Sequence, residues 1–259
     1  MDEKLVQFER LLNIMDVLRA ECPWDKKQTI ESLRHLTIEE TYELCDAIIK
    51  NDLEELKGEI GDLILHMVFY SKIASEKKAF DIGDVLKNIC EKLIHRHPHI
   101  YGDFKVETEE EVKTNWEKLK LEEGDQSGNK KSVLQGVPKS MPSLVKAVRI
   151  QDKVKGVGFD WDNKDQVWEK VQEELNEFKD ELDAQDHEKM EEEFGDLMFS
   201  MVNYARFIGI NPEDALEKTN KKFVDRFKKM ELVINAEGKD LKEMNLDEMN
   251  KYWESAKNH

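Results

Sequence analysis

Glu39-Glu40-Thr41-Tyr42-Glu43 is followed by Glu59-Ile60-Gly61-Asp62, and the arrangement returns as Glu173-Glu174-Leu175-Asn176-Glu177 followed by Glu193-Phe194-Gly195-Asp196. Every acid of the first set reappears 134 residues later. Residues three and four apart share one face of an α-helix, so each copy stacks carboxylates along one side of a helix. Like charges so placed repel. Two acidic helices that keep them are better explained by a bound cation than by solvation alone, and oxygen-only donors suit a hard metal such as Mg²⁺, with Mn²⁺ as a substitute.

The repeat extends past the acids. Asp84, Lys92 and Arg96 match Asp214, Lys222 and Arg226 at an offset of 130, and Trp116-Glu117-x-x-Lys120 matches Trp253-Glu254-x-x-Lys257 at 137. Offsets that change only between segments indicate conserved helices joined by loops of different length. The chain therefore reads as two copies of one helical module. Gly124, Ser127, Gly128, Asn129, Gly136, Pro138 and Pro142 accumulate between them. This places an N-terminal module at 1–123, a linker at 124–142 and a C-terminal module at 143–259.

Fifty-seven acidic against 40 basic residues give a net charge of −17, which argues against a nucleic-acid backbone or an anionic membrane as partner. Cys22, Cys45 and Cys90 lack CxxC spacing, so neither a disulfide framework nor a zinc site is suggested. Reduced thiols in or near a core are expected. The first residues, Met1-Asp2-Glu3-Lys4, carry no apolar stretch of a secretory signal, and the longest apolar runs, such as 63–70, are too short to span a bilayer. A cytoplasmic protein is the expectation.

Apolar residues recur at helical spacing nearly throughout, and no segment shows sustained β-branched alternation, so the fold class is all-α. The stripes Ile60, Leu63, Ile64, Met67, Val68, Ser71 and Phe194, Leu197, Met198, Met201, Val202, Ala205 read as bundle core. Asn211-Pro212-Glu213-Asp214 offers an N-cap, a proline at the first helical position and acids in the first turn. Thr108-x-x-Glu111 reads as a capping box ahead of the Trp116 helix. Pro98 should end or kink the helix carrying Lys92 and Arg96. That keeps His95, His97 and His99 from converging on one ion.

A single Glu-Glu-x-x-Glu would be an ordinary solvated face, as Glu109-Glu110-Glu111 is expected to be. Recurrence at constant offset, joined to the same downstream cations, reverses that preference. Lys222 and Arg226 lie on one helix face, as Lys92 and Arg96 do, and both side chains suit phosphate oxygens. Trp253 and Trp116, each with a lysine four residues on (Lys257 and Lys120), could offer a ring and a cation to a nucleotide. The common loops for phosphate and dinucleotide binding and the hydrolase elbow are absent from the sequence.

These modules, with Cys22-Pro23-Trp24-Asp25 ahead of the first, Arg96-His97-Pro98-His99 within it and Val157-Gly158-Phe159-Asp160-Trp161 opening the second, closely resemble the two-domain bacterial MazG nucleoside triphosphate pyrophosphohydrolases. The resemblance covers essentially the whole chain. It implies an all-α fold related to dimeric dUTPases, a homodimer, Mg²⁺ dependence, and hydrolysis of ATP and other NTPs to NMP and pyrophosphate with broad base specificity. It also implies metal ligation by Glu174, Glu177, Glu193 and Asp196; Glu173, one residue before the ligand pair, is the candidate to orient or deprotonate the attacking water. Nucleotide contacts then fall on Lys222, Arg226, Trp253 and Lys257. A possible second site has Glu40, Glu43, Glu59 and Asp62 as its metal ligands and Lys92, Arg96, Trp116 and Lys120 as its substrate contacts. In such proteins the C-terminal module is credited with the activity.

Two other readings compete. A di-metal redox carboxylate bundle also builds its site from helix-borne acids, but it needs Glu-x-x-His pairs, and the sequence has none. A non-catalytic helical interaction protein would carry the acids as solvated faces only.

Overall fold

The structure is a computed structural model that describes residues 2–102, 108, 111–112, 115–116, 119 and 132–257. Among these residues every regular element is helical, and no helix is long and apolar enough to cross a membrane. The chain divides into two compact units, Met1–Glu109 and Glu110–His259. The Thr108-x-x-Glu111 capping box and the segment around Trp116 fall where only scattered residues are described, and Lys120 and residues 124–131 of the linker lie outside them.

The first unit contains α1 (Glu3–Glu21), α2 (Ile30–Lys50), α3 (Leu53–Glu76), α4 (Ile82–Arg96) and the single turn α5 (Pro98–Tyr101). Helices α2 and α3 form an antiparallel hairpin whose connection is short for a local reason. Asn51 closes α2 in the left-handed conformation at φ 56, and the Asp52 side chain then accepts hydrogen bonds from the Glu54 and Glu55 amides to cap α3. Met15, Leu33, Val68, Phe69 and Ile73 form the core, with Phe8, Leu36 and Tyr70 packed against it. Arg19 ties α1 to α3 through Glu76 at 2.9 Å, and its guanidinium also donates to the Asp25 and Gln28 carbonyls of the intervening turn.

In the second unit α6 (Ser143–Lys155) precedes a second hairpin of α7 (Lys164–Ala184) and α8 (His187–Phe207), followed by α9 (Pro212–Ala236) and α10 (Leu246–Lys257). The turn repeats the first one: Gln185 is left-handed at φ 59, and the Asp186 side chain caps α8 from the Lys189 amide. Trp168–Tyr204 and Phe178–Phe194 ring pairs, with centroids 4.9 and 5.6 Å apart, hold the hairpin in register. Gly158, at φ +86, turns the chain after α6. Arg206 then clamps Asp160 with a two-pronged ion pair and fixes the entry into α7.

Two expectations are corrected. In the stripes assigned to the core, Val68, Ser71 and Val202 are buried, but Ile60, Ile64, Met67, Phe194, Met198 and Met201 are 41–51% exposed. Each hairpin helix has two apolar faces, and its own module covers one of them. Of the three thiols only Cys22 is half-buried, whereas Cys45 and Cys90 are exposed. Both sit on helices whose outer sides meet solvent.

Candidate metal and nucleotide site

The shared turn places the acids. Glu43 and Glu59 stand eight residues either side of Asn51, and Glu40 and Asp62 stand eleven. Glu177, Glu193, Glu174 and Asp196 hold the same positions about Gln185. With a rise of about 1.5 Å per residue, equal counts along antiparallel helices bring equal heights together. Carboxylate oxygens of Glu40, Glu43 and Glu59 accordingly lie within 4.8 Å of one another, and so do those of Glu174, Glu177 and Glu193.

Asp62 and Asp196 are outside these triads, yet their charges reach them. Burial pushes the Glu40 and Glu193 carboxyls above their ordinary value, and Asp62 and Asp196 respectively add to the rise. Glu59 and Glu177 are raised for the same leading reason, loss of hydration, reinforced by Glu43 and Glu174. Among the described residues no cation pairs with Glu40, Glu43 or Glu59. In the second cluster Lys170 lies 2.7 Å from Glu174 and 2.8 Å from Glu173.

The donor set fits a hard divalent cation. All donors are oxygens, and they come from two rigid helices. Glu174, Glu177 and Glu193, and likewise Glu40, Glu43 and Glu59, would hold such an ion.

Lys222 and Arg226 project from α9, which runs unbroken from Pro212 and is capped by the Asn211 side chain as the sequence indicates. Lys222 is exposed and Arg226 half-buried. Trp253 on α10 packs against Phe223, centroid to centroid 4.9 Å, so the aromatic stands beside the basic pair. Lys257, one turn on from Trp253, pairs with Glu254. In the first unit α4 ends at Arg96, and Pro98 begins the next turn. His97 and His99 are ring neighbours at 5.5 Å, and His97 Nδ1 lies 2.6 Å from the Leu93 carbonyl.

Lys170 and Phe223 were not singled out from the sequence. Lys170 was findable as a lysine four residues before Glu174. Phe223 was not, because its partner is 30 residues away on another helix.

A comparison with protein families matches the MazG nucleotide pyrophosphohydrolase domain at residues 28–101 and 163–230, which contain both acid clusters and both basic pairs. The chain is 45% identical to the nucleoside triphosphate pyrophosphohydrolase/pyrophosphatase MazG of Thermotoga maritima, over 99% of this chain and 98% of the relative. It is 41% identical to the nucleoside triphosphate pyrophosphohydrolase of Escherichia coli, over 97% of each. A crystal structure of a mazG-related protein from Thermotoga maritima aligns with 43% of this chain and 97% of its own at 34% identity and a TM-score of 0.39. With more than half of the chain inside the family's domain and two relatives alike over nearly their whole length, the chain belongs to the MazG nucleotide pyrophosphohydrolase family.

Proposed function

We propose that this enzyme, a nucleoside triphosphate pyrophosphohydrolase by its family, splits NTPs at the α–β bond into NMP and pyrophosphate in a Mg²⁺-dependent reaction at the second acid cluster. The observation that carries the placement is the convergence of Glu174, Glu177 and Glu193 from two helices, with Asp196 one turn on and the Lys222–Arg226 helix packed against α8.

Glu174, Glu177 and Glu193 would hold the cation, which would supply positive charge to the phosphates and make a water easier to deprotonate. Glu173, one residue before Glu174, is the group we assign to orient that water and accept its proton. Lys222 and Arg226 balance charge on the departing pyrophosphate, and Phe223 with Trp253 presents aromatic surface to a base. An aromatic face accepts any base, which accords with broad specificity. No covalent intermediate is needed; positioning and electrostatics suffice. Product analysis is the test, since NDP and orthophosphate would refute α–β cleavage.

The first cluster repeats the acids and, in Lys92 and Arg96, the basic pair, and it is a second potential site. The exposed stripes Ile60, Ile64, Met67 and Phe194, Met198, Met201 favour a homodimer in which a second copy covers them. Sedimentation at about twice the 30.4 kDa chain mass is expected, and a monomer at micromolar concentration would contradict it.

Raised carboxyl pKa values carry a pH signature. Such a group binds more protons folded than unfolded between its unfolded and folded values, so its contribution to metal-free stability falls as pH rises through that window. Cation binding requires the ionised acids and runs the other way. Melting with Mg²⁺ against melting with chelator should therefore differ little near the ordinary carboxyl value of 4.5. The gap should widen to roughly 5–8 °C at pH 7.5 with Mg²⁺ a hundredfold above its Kd. A gap independent of pH would show that these acids are not the ligands.

A further inference from the structure

The two acid clusters share spacing and turn but differ in one neighbour. Lys170 precedes Glu174 by one helical turn, and the residue at the same position of the first module is Leu36, which packs against the core. Glu174 is buried, 6% exposed, and a carboxylate taken so far from water needs a partner. Its partner is the Lys170 ammonium at 2.7 Å, which also holds Glu173 at 2.8 Å and whose own pKa is raised by these two contacts. Glu40, the counterpart of Glu174, is only half-buried and has no such partner among the described residues.

We propose that Lys170 is a built-in counter-ion of the second cluster: a positioning residue that keeps Glu173 and Glu174 assembled without metal and competes with the divalent cation for Glu174. A lysine suits this part because its ammonium is a point charge on a flexible stem, and Lys170, 34% exposed, can swing into solvent when a cation arrives. A cation bound to Glu174 takes up the carboxylate charge that the ammonium neutralises in its absence. The first cluster has only a methyl-ended side chain at this place, so its acids assemble without an internal charge to displace.

The inference rests on the divalent-metal reading of the cluster, and calorimetric titration with Mg²⁺ separates the two. The titrations use the full chain carrying Glu40→Gln and Glu43→Gln, so that the first cluster does not contribute. Lys170→Met and Lys170→Gln should each bind Mg²⁺ roughly three- to tenfold more tightly than the parent, because the competing cation is gone. Lys170→Arg should bind no more tightly than the parent, because it restores a competing charge. A residue that merely stabilised the helix would weaken Mg²⁺ binding when removed. Equal or weaker binding by both neutral variants, with helical circular dichroism intact, would overturn the proposal and leave the metal reading standing. Loss of the helical signal in both neutral variants but not in Lys170→Arg would overturn it too, making Lys170 a structural ion pair. If neither parent nor variants bound Mg²⁺, the metal reading would fall and this inference with it.

Discussion

Glu177→Gln is expected to lower kcat/KM for NTP hydrolysis by at least about a hundredfold while the helical circular dichroism stays that of the parent. Loss of a residue that only supports a metal ligand costs about 10–100-fold, so loss of a ligand should cost no less. The amide keeps the shape of the side chain but cannot offer a carboxylate to a hard cation. Folding should not suffer. Glu177 is exposed, its carboxyl is pushed up by lost hydration and by Glu174, and neutralising it relieves that repulsion. Unchanged kcat/KM at saturating Mg²⁺ would return the acids to a solvated face.

A comparison of Glu174→Gln with Glu40→Gln should show how the modules divide the work. The first change is expected to lower kcat/KM about a hundredfold and the second less than about threefold. Both acids belong to triads of the same spacing, so the difference must come from the surroundings. Around the second triad, α9 carries Lys222 and Arg226 through the middle of 25 unbroken residues, and Phe223 lies against Trp253. Around the first, α4 stops at Arg96 and the position of Phe223 is taken by Leu93. A catalytic group must be held to a fraction of an ångström, which a mid-helix position provides and a helix end does not. A larger loss from the Glu40 change would put the principal site in the first module.

Much of this architecture was legible because it is local. Spacings of three and four in Glu173-Glu174-Leu175-Asn176-Glu177 define a helix face, the Asn211-Pro212 pair starts α9, and Pro98 ends α4. The register of each hairpin was not read from the sequence: the Asp52 and Asp186 caps were not singled out, and a left-handed Gln185 is not announced by its residue type, since glycine or asparagine is the usual choice there. Apolar stripes failed as a guide to the core for a physical reason: periodicity shows that a face is apolar, not what covers it. Ile64 and Val68 are one turn apart on α3, one exposed and the other buried. The Phe223–Trp253 and Asp160–Arg206 contacts depend on chain segments brought together only by folding.

The most direct measurement is NTP turnover by chelator-treated enzyme as Mg²⁺ is added back, with all phosphorus-containing products quantified by ³¹P NMR. The account predicts no turnover without metal and a saturable rise with Mg²⁺, giving NMP and pyrophosphate in equal amounts. Metal-free turnover at the full rate, or NDP and orthophosphate as the products, would contradict it.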